Sequence, residues 1–386
     1  MASDISALSS QSHTCDVFSS LSPVDSAIDH ALICTVHADD AEFERLPVPV
    51  RYRASGAIRA WTNVRQMAGR NAATLSARLA DIGYAPLELY NDLADFLDDS
   101  YSREMSTPTG RAIAAHGSNS IFCQAFWQRE GALYEPTPSL HKLLALTDVS
   151  GDVPLEKLRL PASALCIVPD PSMRDQPDGI QAIMVFEHAG PDQDTRQRWL
   201  TVAAWPRTFR SDSSLRMEWL RVRADGDCSL EDGLAEAIKQ PAMLDGREME
   251  VDSAEETKLR WRKTLDYMVK MLLYLSLEQT QVIQERPYSI APRIFAGLGK
   301  RKRAQRLEQI DQLYDRYIVG PATHSDEQHE NGGQGDGRDV RTHWRRGHFR
   351  MQAHGPAATR RKLIFIMPTI VHADRLGIGD GNHSKM

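Results

Sequence analysis

No stretch of this 386-residue chain approaches the roughly 18 to 20 uninterrupted apolar residues that a membrane-crossing helix needs. The opening "MASDISALSSQSHTCDVFSS" has neither the basic start nor the apolar run of a signal peptide, so the expectation is a cytoplasmic protein with no membrane partner. Cysteine is scarce too. Cys15, Cys34, Cys123, Cys166 and Cys228 are odd in number, far apart and free of any CxxC pair, which favours free thiols over a zinc site, a redox dithiol or a disulfide framework. Catalytic motifs are also missing: there is no HExxH and no GxSxG. "AGLGKRKR" has Ile294 where a phosphate-binding loop needs its first glycine and Arg301 where it needs a hydroxyl. Asp92, Asp95, Asp98 and Asp99 fit a solvated helix face better than a metal site. A carboxylate constellation assembled from distant segments stays open. No catalytic, cofactor-binding or metal-ligating residue is assigned, and no cofactor is implied.

A hydrophobic fraction of 41% is enough for a sizeable core. The net charge of −6 conceals a segregation. Residues 286–306 hold seven Lys or Arg and no acid, and residues 341–386 hold nine against two, so each segment carries +7 and the remainder −20. Positive patches on an acidic body can steer an anionic partner, or can be neutralised within the chain.

Apolar spacing divides the chain. Residues 1–50 read as a flexible or partly helical lead and 51–135 as a helical region, in which Ile58, Trp61, Val64 and Met67 recur at helical spacing and Pro86 opens a further helix. Within 136–320, an α+β core, four β-rich runs (164–170, 179–190, 196–206 and 214–227) are punctuated by Pro, Gly and Asp and predict an antiparallel meander. Ser229 and Asp232 predict the start of a short helix. The strongest helical pattern runs from Ala254 to Glu285, with Trp261, Leu265, Met268, Leu272 and Leu275 on one side and further apolar residues beyond that stripe. It predicts a central helix lying across a sheet, with its methionines filling core gaps in preference to lining a binding groove. Residues 321–340 read as a flexible loop and 373–386 as a disordered tail. The fold class is thus α+β: a mostly helical N-terminal region, a mainly antiparallel sheet on a long helix, and a C-terminal β-hairpin.

That hairpin, 341–372, is expected to complete the sheet. Strand alternation puts Trp344, Arg346, His348, Arg350 and Gln352 on one face of its first arm and His343, Arg345, Gly347, Phe349 and Met351 on the other. The second arm, "KLIFIMPTIV", is apolar on both faces, so Leu363, Ile364, Phe365 and Ile366 are expected to be buried in an interior strand. Arginine forks beside aromatic rings suit a nucleic acid or an acidic peptide. The alternative is that they pair with the chain's own acidic residues. His343, His348 and His354, with His324 and His329 before them, lack the geometry and the acidic company of a metal site.

The stretch "RTHWRRGHFRMQAHGPAATRRKLIFIMPTIV" resembles the C-terminal signature of the type V-A anti-CRISPR family that blocks production of the CRISPR effector nuclease. "VPLEKLRLPASALCIVPD", "GIQAIMVFEHAG" and "TLDYMVKMLLYLSLEQTQVIQERP" are similar to family segments in kind and order, over about Tyr134 to Val371. The resemblance implies a mobile-element protein of the bacterial cytoplasm that engages the nascent N-terminal polypeptide of the effector, or its translation complex, so that effector and transcript fall. It makes Arg345, Arg346, Gly347 and His348 the signature residues, and with them Trp344 and Arg350 form the expected partner-binding set. The competing reading is a nucleic-acid-binding phage or plasmid protein using the same hairpin, with RNA as a further partner.

Overall fold

The computed structural model describes residues 23–67, 77–78, 80–81, 84–86, 119–174, 179–190, 197–206, 217–225, 229–239, 243–244, 247–248, 251–321 and 343–371. The expected helix over 86–99 beyond Pro86, the stretch 110–118, the 321–340 loop beyond its first residue and the 373–386 tail lie outside them.

The β-rich middle of the chain builds a nine-stranded sheet. Its strands are β1 (Ala132–Pro136), β3 (Ala164–Ile167), β4 (Ile180–Ala189), β5 (Arg198–Pro206), β6 (Glu218–Arg223), the two-residue β7 (Met243–Leu244) and β8 (Arg247–Glu248), β9 (Val282–Glu285) and β10 (Arg316–Val319). They lie in the order β8-β7-β6-β5-β4-β3-β1-β10-β9. The run β3 to β6 is the antiparallel meander that the sequence predicts, and β1 is inserted parallel to both β3 and β10. Each central strand is apolar on both faces, because both faces are covered. Leu165, Ile167, Ile183, Val185, Leu200 and Val202 point to one layer, and Cys166, Met184, Phe186, Ala203 and Trp205 to the other.

The second layer is helical and N-terminal. It comprises α1 (Pro23–His37), α2 (Val48–Ala54), α3 (Ala57–Met67) and α4 (residues 119–128). Buried Ile28, Tyr52, Trp61, Phe122 and Phe126 pack there against the sheet, and the Trp205 indole donates to Asn119 Oδ1 at 3.0 Å. The core therefore reaches well into the expected lead, since Val48 and Val50 are fully buried.

The opposite face is covered by α5 (Pro138–Ala145), α7 (Leu230–Lys239) and the long α8 (Val251–Leu275); a single turn, α6 (Pro171–Arg174), precedes β4. Ser229 and Asp232 cap α7 as expected: Asp232 N donates to Ser229 Oγ at 3.1 Å. In α8, Trp261, Leu265, Met268, Val269, Met271, Leu272 and Leu273 are all buried, so its methionines are core. The helix stops at Leu275 and does not run on to Glu285. Thr280 Oγ1 lies 2.7 Å from Tyr274 O and 2.8 Å from Leu277 O, satisfying an end carbonyl, and β-branched Val282 and Ile283 then pair with β10 as β9.

A further helix, α9 (Lys300–Asp311), precedes β10. Beyond β10 the C-terminal segment forms β11 (His343–Arg345), β12 (Gly347–His354), β13 (Arg360–Ile366) and β14 (Thr369–Val371). β12 and β13 make the predicted hairpin, in register from His348↔Ile366 to His354↔Arg360. They do not complete the large sheet. β12 pairs in parallel with β2 (Thr147–Val149), giving a separate three-stranded sheet in the order β13-β12-β2, and β11 pairs with β14 alone. The apolar arm is consequently an edge strand. Leu363, Ile364, Phe365 and Ile366 are half-buried, and of these Leu363 and Phe365 pack on the core. Both edges of β12 are taken, whereas β13 has one neighbour among the described residues and leaves its other edge unpaired.

Candidate functional site

The signature residues sit where β11 ends and β12 begins. Alternation holds along β12: Gly347, Phe349 and Met351 are buried, His348 is half-buried, and Arg350 and Gln352 are exposed. Arg346 breaks the strand between β11 and β12. Arg345, which alternation placed on the face of Gly347 and Phe349, is exposed. Trp344 pairs through its backbone with Ile370.

Gly347 is demanded by close packing. Its N–H donates to Leu146 O at 3.0 Å. A Cβ there would lie 2.7 Å from Pro368 Cδ, 2.8 Å from Thr147 Oγ1 and 2.9 Å from Ile366 O. Glycine lets three chain segments meet at one point, which holds Arg345, Arg346 and His348 at the surface beside β2.

Part of the hairpin charge is neutralised within the chain. Arg346 Nη1 lies 3.4 Å from Asp148 Oδ1, Arg361 Nη1 3.7 Å from Asp152 Oδ2, and Lys362 Nζ donates to Glu278 Oε2 at 2.5 Å. The Lys362 hydrogen bond holds the Glu278 carboxyl below the usual carboxylate range. These pairs are exposed, Arg346 and Asp148 at 72% and 62% of their side-chain surface, so each contributes little to stability. Arg345 and Arg350 have no carboxylate partner among the described residues. Among the described residues, self-pairing is thus seen for Arg346, Arg361 and Lys362, and not for Arg345 and Arg350.

Asp148 has a second role. It lines a cavity of about 490 Å³ between the end of β2, α7 and α8. The floor is apolar, from Leu234, Ile238, Leu265 and Val269, and the rim carries Asp148, Glu231, Asp266 and Arg262. Asp266 pairs with Lys270 at 2.6 Å. With Asp148 paired to Arg346 and Asp266 to Lys270, the rim mixes carboxylates and cations above an apolar floor. An arginine-bearing strand edge beside it suits a peptide carrying both signs of charge and an apolar side chain. Sequence reasoning missed this cavity, because β2, α7 and α8 are distant in the chain and none of the three has a chemical motif.

Among the described residues no group of three or more His, Cys, Asp or Glu is placed to hold a metal ion, and no helix is long and apolar enough to cross a membrane. The described cysteines Cys34, Cys123 and Cys166 are free and buried, and burial pushes their thiols up.

The model of the AcrVA2-like proteins, the anti-CRISPR type V subtype A2 family, matches residues 134–373, more than half of the chain. The matched segment holds β2, the meander, α8 and the whole hairpin. No curated protein matches the chain.

Proposed function

Because the chain belongs to the anti-CRISPR type V subtype A2 family, we propose that it lowers production of a type V-A CRISPR effector nuclease by engaging the effector's N-terminal polypeptide as it is made. The observation that carries this reading is the family match across 134–373, which includes Arg345, Arg346, Gly347 and His348 beside the carboxylate-rimmed cavity. A polypeptide has what that surface asks for. Its carboxylates and carbonyls can meet Arg345 and Arg350, its cations the acidic rim, and an apolar side chain the floor. The work is done in the bacterial cytoplasm, where nascent chains emerge, by a protein encoded on a mobile element. It uses no cofactor, and loss of the transcript follows from arrest of the chain being translated.

The test expresses the effector from its native coding sequence and from one recoded to alter the N-terminal peptide, each with and without this protein. The expected result is a fall of effector protein and transcript with the native peptide alone. Equal loss in both, or loss in neither, overturns the reading.

A further inference from the structure

The strongest unneutralised charge lies outside the hairpin. Residues 286–306 contribute Arg286, Arg293, Lys300, Arg301, Lys302, Arg303 and Arg306, all exposed. None pairs with a carboxylate among the described residues: Arg286 donates to Gln284, Arg293 and Arg303 to backbone carbonyls, and Arg306 to Gln309. Elsewhere Arg198, Arg260 and Arg316 engage carboxylates. Five of the seven cations crowd the first seven residues of α9, the positive end of that helix, while Glu308 and Asp311 stand at the other end. That is the reverse of what the helix dipole favours, and like charges three and four residues apart repel. Every residue of α9 from Lys300 to Gln309 is exposed, so packing does not repay the cost.

From this unneutralised ridge we infer that residues 286–306 bind RNA as a single strand, through its phosphates. A phosphodiester strand carries a charge at every unit and can follow cations that point in all directions around a helix; an acidic peptide does so only where its carboxylates happen to recur. A lipid surface is the poorer fit, because α9 has no apolar stripe to lay into the acyl boundary. Exposed Ile290 and Ile294, at 78% and 91%, offer aliphatic contacts to unpaired bases beside the cations. Choosing RNA over DNA rests on the function proposed above, since a protein acting on a nascent chain works beside messenger and ribosomal RNA. The cavity and hairpin would then hold the peptide and α9 the RNA.

The experiment measures binding of a fluorescently labelled oligouridylate of about 20 nucleotides to the full chain across a salt series. We expect the logarithm of the association constant to fall with log salt at a slope of about −3 to −5. Replacing Lys300→Gln, Arg301→Gln, Lys302→Gln and Arg303→Gln together should weaken binding at least about tenfold and flatten the slope, with circular dichroism unchanged. Arg346→Glu with Arg350→Glu should bind the oligonucleotide as the parent does. Equal binding by parent and four-site variant, or capture of polyglutamate or anionic vesicles as tightly as RNA, overturns the inference. The effector assay separates the two proposals. RNA binding without a peptide-dependent fall of the effector removes the proposed function and leaves the ridge; a peptide-dependent fall by a chain that binds no RNA does the opposite.

Discussion

Phe349 and Phe365 stack across the hairpin, ring centroids 4.7 Å apart and planes 22° from parallel, and Phe365 also meets Tyr274 of α8 edge-on at 6.1 Å. This pair anchors the signature strand to the core. Phe365 is half-buried on an edge strand, so Phe365→Ala should cost about 2 kcal/mol, below the ~3–5 kcal/mol of a fully buried phenylalanine. Urea denaturation measures it, and a loss at the upper value would return β13 to the interior.

Gly347→Ala should destabilise by about 1–3 kcal/mol, because the new methyl meets Pro368, Thr147 and the Ile366 carbonyl together. Adding Pro368→Ala should restore part of the loss, since it removes the nearest of the three contacts. The midpoint of denaturation for the single and double variants reads both effects.

Arg346→Glu with Arg350→Glu should abolish the lowering of effector while leaving the melting temperature nearly unchanged. Arg346 makes one long, exposed ion pair and Arg350 none among the described residues, so less than about 1 kcal/mol of stability is at stake. A large thermal shift would mean that the hairpin charges serve the fold.

Glu218 of β6 is buried and bound by two Arg260 nitrogens of α8; burial raises its pKa and the guanidinium opposes the rise. Arg260→Met strands that carboxylate and should cost about 3–5 kcal/mol at neutral pH. With its cation gone, the folded-state pKa climbs further above the unfolded one. The penalty is then present at high pH and shrinks as pH falls through the folded pKa and Glu218 takes up a proton. Glu218→Gln in the same background should recover most of the loss at pH 7.

His188 bridges β4 and β5: its Nδ1 lies 2.7 Å from Ala189 O and its Nε2 2.8 Å from Thr201 Oγ1. Burial depresses its pKa to about 4. A depressed folded-state pKa gives stability that is present above the unfolded value near 6.5 and is lost as pH falls toward 4. The fall amounts to about 3 kcal/mol. His188→Gln should flatten the stability profile over that window, as read by denaturant titrations at pH 7 and pH 4.5.

The fold was legible where a residue's burial depends on its own neighbours in sequence. The meander from 164 to 227 declared itself by Pro, Gly and Asp between β-rich runs, and α7 by Ser229 and Asp232. What escaped depended on distant partners. "KLIFIMPTIV" looks interior whether or not anything covers its second face, and no local signal says that β12 spends its other flank on β2. "QTQVIQE" continues a helical pattern until Arg316–Val319 arrives to pair with it. At the site, the arginines and Gly347 were visible as residue types, but the reason for the glycine and the cavity beside Asp148 appear only when segments two hundred positions apart meet. The charge of 286–306 was plain in the sequence; that no described carboxylate pairs with it was not.

The three-layer arrangement bears on any attempt to shorten the gene. The matched segment begins at Tyr134, yet one whole face of its sheet, with Met184, Phe186, Trp205 and Trp219, is roofed by side chains that precede it, among them Ile28, Trp61, Phe122 and Phe126. A fragment starting there would present a broad greasy plane to water and precipitate or scavenge chaperones. Its silence in a cell would speak of solubility. Grafting experiments between relatives should therefore exchange the helical roof together with the sheet beneath it, and keep the hairpin as the exchangeable part.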